Sequence, residues 1–170
     1  MRKFLCCIFS LIALSASNLQ SSAQTVMADR LWENLPGWRV FASAEYQGCV
    51  AIASYQDGTT VRLGYDGIVK DYFFNLSNLR WRSYPLMKDF ELRFDLGRGR
   101  TLSGFFHMVT RDATPTFEIG NVKSSFLDDI AAALGIRVFD EDTQLASLSL
   151  GGSRRALNSM VECQQSILGD

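Results

Sequence analysis

Cys49 and Cys163 stand 114 positions apart, and no other cysteine lies between or after them. The remaining two, Cys6 and Cys7, fall inside an N-terminal segment built like an export signal. A mature chain would therefore keep one distant pair. In an oxidising compartment such a pair predicts a single disulfide that ties the front of the fold to its back. The alternative is two buried free thiols. Catalytic disulfides sit in close Cys-x-x-Cys spacing, which this pair lacks.

The export reading rests on three parts. Met1-Arg2-Lys3 supplies a positive start, Phe4 to Ala16 a largely apolar run of 13 residues, and Ser21-Ser22-Ala23 small residues where a signal peptidase reads. The apolar run is too short to span a bilayer comfortably. Cleavage is expected after Ala23, with Val26-Met27-Ala28 as a second choice and a retained anchor as the alternative. Residues 1–23 are thus assigned to a signal peptide and residues 24–170 to a single mature domain. Removal takes Arg2 and Lys3 and no acid, leaving 15 basic against 18 acidic residues. So mild a balance is not enough to imply a membrane surface as partner, and no nucleic-acid partner is expected.

The middle of the chain reads as antiparallel strands. Phe90, Leu92, Phe94 and Leu96 alternate with Glu91, Arg93 and Asp95. That pattern suits a strand with one face in the core and one in water. Val50–Tyr55 and Thr60–Tyr65 flank Asp57-Gly58, a pair suited to a hairpin turn. Asp66-Gly67 marks a second turn. Further strands are expected at Tyr72–Phe74, Thr101–Val109, Thr116–Ile119, Ile136–Phe139 and Gln144–Leu150. Two helices are expected among them. In the first, Ser125 and Asp128 resemble a capping box, and Phe126, Leu127, Ile130, Ala131 and Leu134 follow at helical spacing. In the second, Ser153 caps, and Ala156, Met160, Cys163 and Ile167 form one stripe that turns Cys163 toward the core. The fold class is α+β: a curved antiparallel β-sheet, sandwich-like, with two docked helices and one disulfide.

Little in the chain points to catalysis. His107 is the only histidine and sits among strand-forming apolar residues with no paired nucleophile or Gly-x-Ser-x-Gly elbow. A pocket joining His107 to acidic residues would favour a hydrolase; an exposed surface of aromatic residues and arginines would favour binding. One histidine and two distant cysteines make a poor zinc set, and Asp140-Glu141-Asp142 lacks the alternating oxygens and glycine of a calcium loop. No metal, cofactor or enzymatic activity is expected. Asn75-Leu76-Ser77 matches a glycosylation acceptor, which carries no meaning in a bacterium.

Two arginine groups are candidates for recognition. From residue 80 to 111, Arg80, Arg82, Lys88, Arg93, Arg98, Arg100 and Arg111 outnumber Asp89, Glu91 and Asp95. Read as a strand, Arg80 and Arg82 share the face opposite Trp81. Arg98 and Arg100 lie at a glycine-flanked turn and would extend the surface if the strands are neighbours. Binding residues are therefore placed at Arg80, Trp81, Arg82, Arg98 and Arg100. A second group, Ser153, Arg154 and Arg155, puts two cations in a first helical turn, against the helix dipole. Either the preceding acids Asp140, Glu141 and Asp142 pair with them, or water solvates them, or the turn is an anion site.

In order along the chain, Trp38, Cys49, Asp57-Gly58-Thr59, Trp81, Phe94-Asp95 and Leu148–Ser153, with Ala156, Leu157 and Cys163, form a pattern. It resembles small exported bacterial proteins of the invasion-associated locus B type, and also the periplasmic accessory proteins of type VI secretion. The resemblance spans residues 38 to 163. It implies a non-enzymatic protein, periplasmic or secreted, and supplies no site residue. The expected function is an envelope binding or accessory protein that recognises a protein or anionic partner. A structural envelope subunit and a periplasmic hydrolase are the alternatives.

Overall fold

A computed structural model describes residues 29–168. The expected signal segment lies outside the described residues. The described chain forms ten strands: β1 (Arg30–Leu35), β2 (Trp38–Ser43), β3 (Gly48–Ser54), β4 (Thr60–Asp66), β5 (Asp71–Ser77), β6 (Asp89–Asp95), β7 (Thr101–Arg111), β8 (Thr114–Ile119), β9 (Gly135–Asp140) and β10 (Thr143–Ser149). Two α-helices, α1 (Ser124–Ala132) and α2 (Ser153–Leu168), and a 3-10 helix at Leu79–Trp81 accompany them.

All ten strands belong to one open antiparallel sheet, in the order β1-β2-β3-β4-β5-β8-β7-β6-β9-β10. The sheet is strongly curled. β5 and β6 lie three strands apart, about 14 Å in a flat sheet, yet the rings of Phe74 and Phe94 are 5.8 Å apart between centroids. Further round, Tyr55, just past β3, donates its hydroxyl to the Ser149 carbonyl at the end of β10, at 2.7 Å. Those strands stand seven places apart in the sheet order. The inner face thus closes over one core.

Alternation decides which residues enter that core. Leu92 and Phe94 of β6, Phe106 and Met108 of β7 and Phe117 of β8 are fully buried. α2 lies on the inner face of β2 and β3, with α1 beside it. Ala156, Met160 and Cys163 form its buried stripe, while Ile167 is exposed. Cys163 bonds to Cys49 of β3, with Cα atoms 6.0 Å apart. The outer face carries a smaller cluster of Tyr46, Val50 and Phe73. Gly64 makes room for it: a Cβ there would stand 2.4 Å from the Phe73 ring.

The helix starts differ from expectation. α1 is capped by Lys123 with no side-chain bond, so the Ser125–Asp128 box does not form, and Leu134 falls beyond the helix, exposed. The Ser153 hydroxyl points away from its own helix and donates to the Ala131 carbonyl at 3.4 Å. The tight entry to α2 is set instead by Gly152, at φ +85°, and by the Trp38 indole N–H donating to the Gly151 carbonyl at 3.1 Å. Strands β1 and β2 are additions to the sequence reading. Among the described residues, no helix is long and apolar enough to cross a membrane.

Burial has a consequence at high pH. It pushes Tyr46 up to about 12; Tyr55 and Tyr84 reach the same value for the same first reason, with the Asp57 charge adding to Tyr55 and the hydrogen bond to Asp140 adding to Tyr84. An unfolded tyrosine ionises near 10. The folded state therefore prefers the neutral phenol. The stabilisation is complete below about pH 10 and disappears as pH rises toward 12. Three tyrosines should ionise late in an ultraviolet absorbance titration, and the melting temperature should fall across the same interval.

Candidate functional site

The basic residues of the middle segment fall into two separate places. Ser77 ends β5 opposite Thr116 of β8. From there residues 78–88 cross the ends of β8 and β7 to reach β6, because the β7–β8 hairpin occupies the space between β5 and β6. Asn78 starts the crossing: its side chain accepts from Arg80 N at 2.8 Å and donates to Thr59 Oγ1 at 2.9 Å. Trp81 therefore lies in a 3-10 turn and not on a strand. Its indole is buried, 5.1 Å from the Phe117 ring. Tyr84 pins the middle of the crossing, packing on Phe90 and Phe117 and donating to Asp140 Oδ2 at 2.9 Å.

Between these anchors the side chains face water. Arg80 pairs with Asp57 at 2.8 Å. Arg82 and Lys88 are exposed and take part in no ion pair among the described residues. Leu79, Leu86 and Met87 are exposed beside them, Met87 to 73%. These three apolar residues were missing from the sequence reading; the sign of them was a run, Asn78–Lys88, with cations and no acid.

Arg98 and Arg100 are elsewhere. They occupy the β6–β7 turn, at the Thr101 end of β7, whereas the 78–88 crossing lies near the other end, where Asn78 N bonds to the Pro115 carbonyl and Pro115 faces Thr110. About nine residues of strand, roughly 30 Å of contour, separate the two. They do not form one surface. Arg98 and Arg100 instead border a cavity of about 250 Å³ against Ala132, Ala133 and Leu134 at the end of α1. Arg100 also lies 3.8 Å from Asp129.

At the start of α2, Arg155 pairs with Glu33 of β1 at 3.0 Å, not with the 140–142 acids; the neighbouring Ser159 hydroxyl and this pairing hold the Glu33 carboxyl low. Arg154 is exposed. With the Ser153 hydroxyl already used, the arrangement lacks one of the donors an anion site there would need.

His107 belongs to a row that crosses the outer face. Arg62, Asn75, Glu118, His107 and Asp89 are successive cross-strand partners on β4, β5, β8, β7 and β6. His107 Nδ1 lies 2.8 Å from Asp89 Oδ1. Arg111 joins the row, donating to Glu118 at 2.7 Å and to Glu45 at 2.6 Å. Asn75 is fully buried, so the 75–77 acceptor sequence is closed to a glycan in the folded protein. A groove of about 470 Å³ runs beside this row, lined by Asp89, Glu91, Arg93, Asp140 and Glu141 among others; His107 touches its margin only through Asp89. No hydroxyl or thiol bonds to His107 among the described residues.

A curled, open antiparallel sheet with a helix clasped to its inner face by one disulfide defines a class of small α+β protein. The fold is similar to that in the crystal structure of invasion associated protein B from Bartonella henselae, with a TM-score of 0.57 at 12% identity, covering 78% of this chain and 97% of that one. That likeness is one of fold, and it agrees with the resemblance read from the sequence. No protein-family model matches the chain, and no curated protein does.

Proposed function

We propose that this chain is a non-catalytic recognition or accessory protein of the bacterial envelope, exported to the periplasm or the medium. The observation that carries the reading is the 78–88 crossing. It is fixed at Asn78, Trp81 and Tyr84, and between those anchors it presents Arg80 and Arg82 to solvent. A rigid scaffold with an exposed cationic edge suits recognition, since little order is lost on binding. The fold likeness to an invasion associated protein supports the same setting. His107 has no part in it.

The test is an Arg80→Ala/Arg82→Ala double mutant. A partner captured by the wild type from the native envelope fraction should be lost by the mutant, and salt should weaken the wild-type complex. The melting temperature should hardly move, because an exposed pair such as Arg80–Asp57 contributes little to stability. Partner binding at wild-type strength by the double mutant would end this reading.

A further inference from the structure

We infer that the Leu79–Lys88 segment is a docking loop for the surface of an anionic lipid bilayer. The inference rests on the recognition reading above and specifies its partner.

Three features of the loop point there. First, Leu79, Leu86 and Met87 are 51%, 53% and 73% exposed. Large apolar side chains held in water at one end of a small domain mark an interaction site. Second, the backbone at Met87 adopts φ +60°, a conformation that a residue other than glycine takes up at a cost. Two bonds of 2.8 Å, Met87 N to the Met108 carbonyl and Met108 N to the Lys88 carbonyl, hold it there. The loop thus accepts strain at the most exposed of its three apolar residues. Third, the charges beside these side chains are cations. Arg82 and Lys88 have no acidic partner among the described residues. Of the nearby acids, Asp57 is engaged by Arg80, Asp112 by Arg62, Asp140 accepts from Tyr84, and Asp89 faces His107.

The shape favours a bilayer over a peptide. The two cavities described above, against β6 and at the end of α1, do not include residues 79–88. The apolar side chains project from a loop and line neither of those cavities. Projecting apolar groups that share an exposed segment with arginine and lysine match the interfacial zone of a bilayer, where apolar tips enter the acyl boundary and cations meet lipid phosphates. The mild net charge of the whole chain does not oppose this, since the attraction is local and falls off within a Debye length.

The molecule supplies its own control. Ile68 and Val69 are exposed at 59% and 69% on the β4–β5 turn. That turn lies at the opposite end of β5 from Asn78, about 20 Å of strand away.

The experiment uses protein recovered after export from cells expressing the full chain, with its N-terminus read. All variants share that N-terminus, so any contribution from it cancels. Co-sedimentation is measured with vesicles of phosphatidylcholine alone and of equal parts phosphatidylcholine and phosphatidylglycerol. The wild type should prefer the anionic vesicles, and salt should weaken the preference. Leu86→Ser/Met87→Ser and Arg82→Gln/Lys88→Gln should each weaken binding on the order of tenfold, with unchanged melting temperatures. Ile68→Ser/Val69→Ser should bind like the wild type. Equal binding to both vesicle types, no binding at all, or wild-type binding by both loop variants would overturn the inference. So would an equal loss in the Ile68/Val69 variant. If vesicle binding fails while Arg80→Ala/Arg82→Ala still loses a captured protein, recognition stands and the lipid assignment falls. If both fail, both readings fall.

Discussion

Replacing Cys163 with serine is expected to lower the free energy of unfolding by about 4–5 kcal/mol. The disulfide closes a loop with a sequence separation of 114, and a loop that long gives the unfolded chain much freedom once it is cut. For a domain whose total stability is on the order of 10 kcal/mol, this is a large fraction. The loss should not be spread evenly. α2 is held to β3 by the disulfide and by Gln164 Oε1, which accepts from Cys49 N at 2.9 Å. Without the covalent tie, the amides of α2 should exchange with solvent before those of β6 and β7. Denaturant titration of the oxidised wild type against the serine variant, with hydrogen exchange read along the chain, checks both statements. A C-terminal helix that stays as protected as the central strands would contradict them.

Trp81→Ala is expected to cost about 3–5 kcal/mol and to lower the melting temperature on the order of 10 °C. The indole is 4% exposed and packs on Phe117, which in turn meets Tyr84 and Phe90. Its removal leaves a hole under the 78–88 crossing. The neighbouring arginines should behave in the opposite way, changing binding and leaving stability nearly untouched. Measuring melting temperature and partner binding on the same variants separates the two roles. A Trp81→Ala protein of wild-type stability would mean that the indole is a surface contact after all.

The contrast between Trp81 and its neighbours shows where the sequence is readable. Phe90 to Leu96 announces its strand because each side chain reports which face it takes. The stripe of Ala156, Met160 and Cys163 likewise places Cys163 against the sheet, and the bond to Cys49 follows. Arg80-Trp81-Arg82 alternates in the same way, and so reads as a strand. Nothing local says that a hairpin formed later in the chain will insert between β5 and β6 and force these residues to bridge over it. The separation of Arg98 and Arg100 from Arg80 and Arg82 has the same origin, as does the row from Arg62 to Asp89. Both depend on strand order, which period-2 patterning does not encode. β1 went unread for a smaller reason: a register shift between Leu31 and Glu33 breaks its alternation.

The distance between the two bonded cysteines also bears on how the molecule is made. A chain emerging N-terminus first delivers Cys49 long before Cys163, and its thiol must wait for almost the whole domain to follow. No third cysteine lies between them to capture it. With Cys6 and Cys7 removed by the expected cleavage, two thiols would allow a single intramolecular connectivity, so assembly would call for an oxidant and have no use for a disulfide isomerase. Covalent closure must therefore wait for the last helix, and a chain cut short before that helix would leave Cys49 without its partner.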